Sequence, residues 1–317
     1  MAPTRDGERA RGREGGARRA SGWLVALLLL LPATVAGQEL EPRALANVPV
    51  GWNFAVLGYG YATGNILLDP AVPIEDLNSR VHTVVGAYVR SLSLFGLSSK
   101  LNVIVPFASG SWEGQLEGQD TSRAVTGFGD PRVALSLNFV GAPALRASEA
   151  RSYRQKTIVG ANLRVTVPLG QYDPSKLINL GSNRWTFRLQ VGASHATGPW
   201  ILEAYAAAWF FTANPDFFGG SRLEQQPLSA FKLHLIRSVG RRFWIALDGG
   251  YGIGGRSAID DVDTETLIST FRFGLTGAFQ VAPQHTVRLV LASGKRVLRG
   301  PDHDAIALTY QFRWGGS

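Results

Sequence analysis

The stretch TGFGDPRVALSLNFVGAPAL, Thr126–Leu145, decides how the rest of the chain is read. From Asp130 to Phe139 it alternates strictly. Asp130, Arg132, Ala134, Ser136 and Asn138 take one face, and Pro131, Val133, Leu135, Leu137 and Phe139 take the other. Successive side chains of a strand point to opposite sides, so this is an apolar wall backed by a polar one. About ten such residues, tilted, cross the hydrocarbon core of a bilayer. If the pattern repeats, the stretch is one stave of a membrane β-barrel.

Outward from it, alternating segments fall at about Trp52–Tyr61, Arg80–Leu94, Ser99–Ala108, Val125–Val140, Lys156–Pro168, Arg184–Thr197, Trp200–Thr212, Leu228–Val239, Phe243–Ile253, Thr266–Gln280, Thr286–Lys295 and Asp304–Trp314. That makes about twelve, and single-chain bacterial barrels have even numbers. The connections are an independent test, because outer-membrane barrels join strands by short periplasmic turns and longer outside loops. Long connections (62–79, 109–124, 169–183, 213–227, 254–265, 296–303) alternate with short ones (95–98, 198–199, 240–242, 281–285). This rhythm puts both termini on the periplasmic side. Only Gly141–Gln155 breaks it, and its ALRASEARSYR core suits one or two helical turns. The expected fold is an all-β, up-and-down antiparallel transmembrane barrel of about 12 strands.

The polar faces say which side meets lipid. A soluble sandwich shows its polar face to water, and such faces are usually rich in Lys and Glu. Here they carry Gly, Ser, Thr, Asn and Arg, and the chain has only five Lys (Lys100, Lys156, Lys176, Lys232, Lys295). Aromatics near strand ends (Trp52, Tyr61, Trp185, Trp200, Phe243, Tyr251, Trp314) suit interfacial girdles. A sheet in lipid must close on itself to pair every backbone group. The row Leu308, Tyr310, Phe312, Trp314 on the last strand resembles the signal read by the barrel-assembly machinery.

Residues 1–36 are read as a cleaved signal peptide and 37–317 as the outer-membrane barrel. Six Arg precede the apolar run Trp23–Leu31, and small residues follow up to Ala36. Without that segment 26 basic and 21 acidic residues remain, and the net charge falls from +8 to +5. The sequence pI near 10.0 therefore argues little for nucleic acid. Absence of Cys fits an exported protein. ELEPRALANVPV (39–50) reads as a short periplasmic lead.

No constellation points to catalysis, a cofactor or a metal. The five His (His82, His195, His234, His285, His303) lie in separate segments without ligand spacing. GYGIGGR (250–256) is a strand end, since no helix follows it as a phosphate loop requires. Asp173, Asp260, Asp261, Asp263 and Asp302 are loop acids that either bridge lipopolysaccharide through divalent cations or are merely solvated. The interior carries the strongest signal. Inward positions hold Arg90, Lys100, Arg132, Arg164, Arg184, Arg188, Lys232, Arg272 and Arg288 against Asp130, Glu203 and Asp248. Charge inside a membrane must face water or a partner. These residues either line a wet path with an anion bias or form a salt-bridged plug. Phe217 and Phe218, with Ile66, Leu67, Leu68, Val72 and Ile74, mark apolar outside loops that could fold over the mouth as a vestibule.

Several stretches taken together resemble the outer-membrane transporter family named after the meta pathway of phenol degradation. They are ELEPRALANVPVGWNFAVLGYGY (Glu39–Tyr61), VPFASGSWEG (Val105–Gly114), the opening stretch Thr126–Leu145, VPLGQYDPSKLINLGSNRW (Val167–Trp185) and NPDFFGG (Asn214–Gly220). The resemblance implies passage of hydrophobic or aromatic compounds and carries over no site residue. The expected function is passive movement of small molecules, hydrophobic or aromatic ones included, across the outer membrane. Outer-membrane lipid, lipopolysaccharide and the barrel-assembly machinery are the expected partners, and no nucleic acid is expected. A closed structural barrel and a lipid-acting enzyme are the alternatives.

Overall fold

The computed structural model describes residues 40–66, 71–72, 74–264 and 266–316. The expected signal peptide, and Leu67 and Leu68 of the first outside loop, lie outside these residues.

The elements in chain order are β1 (Trp52–Asn65), β2 (Glu75–Leu94), β3 (Leu97–Leu116), β4 (Gln119–Phe128), β5 (Arg132–Val140) and α1 (Ala147–Ala150). β6 (Thr157–Thr166), β7 (Thr186–Thr197), β8 (Trp200–Phe211), β9 (Asn214–Phe217) and β10 (Ser221–Gln225) follow. The remainder are β11 (Leu228–Val239), β12 (Phe243–Gly254), β13 (Ser257–Ile259), β14 (Val262–Asp263), β15 (Ile268–Ala282), β16 (His285–Arg296) and β17 (Asp302–Gly315).

The barrel strands pair antiparallel with their neighbours, and β1 meets β17 from Trp52–Gly315 to Asn65–Asp302 to close the sheet. β4 and β5 both pair with β3, one beyond the other, so they form a single interrupted stave. The wall therefore has twelve staves, matching the twelve alternating segments. Four short strands, in the order β14-β13-β10-β9, make a second small sheet from the connections after β8 and β12. At the opposite rim the turns are tight. Phe95 and Gly96 both have positive φ (54° and 75°), as a two-residue hairpin turn with matching twist requires. The long periplasmic connection contains the single helical turn α1.

Three expectations change. The stretch 109–124 is not a loop, since β3 runs on to Leu116 and returns as β4 through Glu117-Gly118, forming a tall hairpin. The fourth stave is not continuous, because it breaks at Gly129–Pro131. Proline lacks the N–H a ladder needs, and the chain turns there to let Asp130 bond to a loop. Arg90 also points outward, at the periplasmic rim, where it donates to Asn53 Oδ1 (2.8 Å).

On the outer surface Leu57, Leu135 (41% exposed), Leu163, Leu189, Leu233, Leu247, Phe273 and Leu308 are all exposed, while their chain neighbours face in. An apolar surface of that extent has no place in water. Trp200 and Trp314 lie at the short-turn rim, and Trp185 and Phe210 at the other. This is the lipid-facing band of a transmembrane barrel with its first and last staves starting and ending at the periplasmic rim, and its place is the bacterial outer membrane.

Candidate functional site: the barrel interior and its outer end

The inward faces are buried, and the segment before β1 is what buries the middle of them. Leu40, Glu41, Arg43, Ala44, Leu45, Ala46 and Val48 are all buried. The segment is not a periplasmic lead, as its position in the sequence suggested. It folds back from the rim into the lumen. The physical reason is charge and shape. Glu41 bonds Arg164 of β6 (2.5 Å) and Arg188 of β7 (3.3 Å), offsetting two desolvated cations. The Arg43 amide donates to Glu203 Oε2 of β8 (2.6 Å), which also accepts from Tyr205, while Glu203 Oε1 accepts from Ser194. Lys100 Nζ donates to the Ala44 and Ala46 carbonyls (2.8 and 3.2 Å), and Asn138 to that of Leu45 (3.0 Å). These side chains stand in for the sheet partner the segment lacks.

Glycines in the wall make room for it. A Cβ at Gly274 would lie 2.8 Å from Leu40 Cδ1, and one at Gly160 would lie 2.8 Å from Leu45 Cδ2. The long periplasmic connection brackets the entrance, with Asn47 Nδ2 donating to the Pro143 carbonyl (3.2 Å) and the Val50 amide to that of Leu145 (2.8 Å). What this leaves beside Glu41 is a void of about 10 Å³, room for about one water. Among the described residues, segment 40–48 and the side chains around it fill the middle of the barrel beside Glu41.

The other inward charges fill the wall around the segment. Lys232 Nζ lies 5.8 Å from the Tyr205 ring, and Arg288 and Arg43 both lie over Trp244 (5.4 and 5.7 Å). Arg184 bonds Gln225 Oε1 (2.7 Å) and lies over Phe211 (4.9 Å). Arg272 is buried on β15, and Arg132 is half-buried on β5. Asp248 accepts from Thr276 (2.6 Å) and meets His234 Nδ1 (2.6 Å). His234 Nε2 is fully buried and has no hydrogen-bond partner among the described residues. Among the described residues no group of three His, Cys, Asp or Glu could hold a metal ion.

Asp130 sits apart from this set. At the break in the fourth stave it accepts from the Gly170 amide, the Ser182 amide and the Ser182 hydroxyl (2.8, 2.8 and 2.6 Å). It thereby ties down the loop between β6 and β7. That loop lies along the free edge of β4, with the Gln171 amide donating to the Phe128 carbonyl (2.8 Å).

Toward the outer end the interior changes character. Leu77 and Val81 of β2, Ala108 and Trp112 of β3 and Val125 of β4 pack on Ile66, Ile178 and Leu180. Trp112 Nε1 donates to the Ile66 carbonyl (3.0 Å). Above this cluster is an open pocket of about 300 Å³. Phe217 is buried (6% exposed) against Ala71, Val72 and Leu223, whereas Phe218 (41% exposed) lines the pocket.

Of the cations that sequence reasoning set inward, Arg90 lies outside the barrel, and the counter-ion of Arg164 and Arg188 was missed. Nine basic side chains were set against three acids, and the lead that carries Glu41 also carries Leu40, Ala44, Leu45, Ala46 and Val48. Such a segment is too apolar to lie in water beside a charged lumen short of acid, which is the signal that could have located it.

The family described as "Putative MetA-pathway of phenol degradation" matches residues 64–297. The chain belongs to this family. No curated protein matches it by sequence. Among solved structures it is similar to an outer membrane channel from Pseudomonas putida F1, at 21% identity and a TM-score of 0.72, covering 87% of this chain and 100% of that one. The β domain of the Bordetella autotransporter BrkA follows at 9% identity and a TM-score of 0.47, covering 84% and 100%. The first of these likenesses shows that the twelve-stave barrel is a shared fold.

Proposed function

We propose that the protein is a passive outer-membrane channel for small hydrophobic or aromatic solutes. The observation that carries this is the outer end, where the apolar Leu77–Trp112–Val125 cluster lies beneath an open pocket at the mouth of the barrel. Apolar surface with a few polar groups is the usual make-up of a small-molecule site. The segment 40–48 blocks the middle without being part of the wall. It is held by side-chain bonds and one ion-paired carboxylate, so it can be displaced without opening the sheet. The family description points to aromatic compounds, and the Pseudomonas putida relative is described as a channel.

On this reading residues 1–36 are a signal peptide removed on export, the final stave is read by the barrel-assembly machinery, and the lumen-lining cations act on the solute's path. The protein performs no catalysis, and its loop acids face lipopolysaccharide. Uptake of labelled toluene by vesicles containing the full-length barrel, against empty vesicles, tests the function. Faster equilibration supports a channel. Equal rates with correctly folded barrel would leave a closed structural barrel.

A further inference from the structure

The pocket at the outer end carries charge that a purely hydrocarbon-binding site would not need. The β3–β4 hairpin above the membrane band has two unlike faces, as period-2 alternation requires. Inward it presents Trp112, Leu116 and Arg123, and outward Glu113, Gln115 and Asp120. Arg123 pairs across the hairpin with Trp112, and its Nε donates to the Ile178 carbonyl (2.7 Å), which fixes the guanidinium at the pocket wall. Lys176, from the loop tied down by Asp130, lines the same pocket.

The nearest acid on that loop, Asp173, is already engaged. Its Oδ1 accepts from the Ser175 amide (2.9 Å) and hydroxyl (2.7 Å). Those bonds, with smaller contributions from Lys176 and Arg123, hold the Asp173 carboxyl below the usual carboxylate range. Among the described residues the pocket's own lining carries these two cations and no acid. The hollow on the other side of the hairpin is lined by Asp76, Glu113 and Asp120, and would repel an anion. The apolar lining is supplied by Leu177, Ile178 and Phe218 beside Trp112. At about 300 Å³ the pocket is at the lower limit for small-molecule sites, too small for a membrane lipid.

We propose that this pocket binds small amphipathic monoanions, aromatic or short-chain carboxylates, whose carboxylate meets Arg123 and Lys176 while the ring or chain lies against Leu177 and Phe218. The inference rests on the channel reading and narrows it, since an anionic amphiphile is selected over a neutral hydrocarbon at the first site a solute reaches. Guanidinium and ammonium suit a carboxylate jointly, one as a planar fork and the other as a point charge.

Calorimetry of the full-length barrel in lipid nanodiscs, with 4-phenylbutyrate and its neutral analogue 4-phenylbutanol, tests this. Phenylbutyrate should bind more tightly, and the preference should shrink as salt is raised. Lys176→Gln and Arg123→Gln together should weaken phenylbutyrate by roughly five- to tenfold, the scale of two partly exposed ion pairs, and leave phenylbutanol unchanged. Arg123→Lys, which keeps the charge, should retain most of the affinity if charge rather than the Ile178 bond is what matters. Equal affinity for acid and alcohol, or a double variant that binds both as the parent does, overturns the proposal. Toluene uptake is read separately. Uptake without anion preference leaves the channel and removes this site's selectivity, whereas anion binding without uptake leaves the site and removes the channel.

Discussion

In the middle of the barrel Arg164 and Arg188 reach inward to a carboxylate from a segment that is not in the wall. Toward the outer end Leu77, Val81 and Trp112 meet Ile178 and Leu180 from a loop. The same staves build both regions, yet the two are held by different physics. Charge-assisted bonds are directional, and losing one partner leaves a buried ion uncompensated. Apolar packing is non-directional and accepts any surface of similar shape. The middle is therefore a closure with defined release points, and the outer end is a surface on which solutes of varied outline can rest.

The largest expected effect breaks the middle. Glu41→Ala removes the carboxylate that Arg164 and Arg188 share, and removing one partner of a buried ion pair costs about 3–5 kcal/mol. That favours the displaced segment by roughly 10²- to 10⁴-fold. Single-channel recording should show long open periods in the variant where the parent is mostly closed. Gly274→Leu, which fills the hollow that takes Leu40, should act in the same direction by overpacking. A Glu41→Ala barrel as closed as the parent would mean that packing, not charge, seals the lumen.

The outer end should break differently. Trp112→Ala removes a fully buried indole and its bond to the Ile66 carbonyl, at a cost of about 3–5 kcal/mol. The hairpin and loops should loosen, seen as a lower temperature for the shift in gel mobility of the folded barrel. Ion conductance should stay low because segment 40–48 is untouched. A conductance rise equal to that of Glu41→Ala would show that the two regions open as one unit.

Next in size is the wall itself. Leu135→Arg puts a cation on the lipid face, at about 2–4 kcal/mol near the midplane, and should slow assembly. From alternation alone its neighbour Ala134 looks permissive, as an inward site in a wide lumen. It is 0% exposed and pairs across the sheet with Asn102 and Arg164, so Ala134→Arg should cost about 1–3 kcal/mol by overpacking. Assembly yields of the two variants, compared in one host, check the ranking.

That added cost at Ala134 marks where sequence stops being enough. Strand number, order and facing were legible because period-2 patterning and turn chemistry are local, and each stave repeats them. The interior was legible only as a list of inward residues. What fills it depends on a segment some 120 to 150 residues from its partners, Glu41 with Arg164 and Arg188. No local pattern reports a pairing at that distance. The break at Pro131 could have been read from proline's missing donor. Asp130 looked like a lumen acid because its parity is correct, and only the loop at Gly170 and Ser182 shows where its charge goes.

The last comparison sharpens the outer end, at two adjacent aromatics that sequence treated as one feature and of which one, Phe218, carries the smallest effect on stability. Phe217 is buried with Ala71, Val72 and Leu223, so Phe217→Ser should destabilise the crown by about 3–5 kcal/mol, as large core truncations do. Phe218 has no such burial, and Phe218→Ser should stay within about 0.5 kcal/mol of the parent in stability, as exposed substitutions do. Phe218 nevertheless lines the open pocket, so the same change should slow uptake of a hydrophobic aromatic solute while leaving the folded barrel's thermal shift in place. The two single variants thus separate a residue that holds the crown together from one that faces the solute. If Phe218→Ser takes up solute at the parental rate, the pocket is scaffold rather than path. The route for solutes would then have to be sought along the loop that covers the free edge of β4.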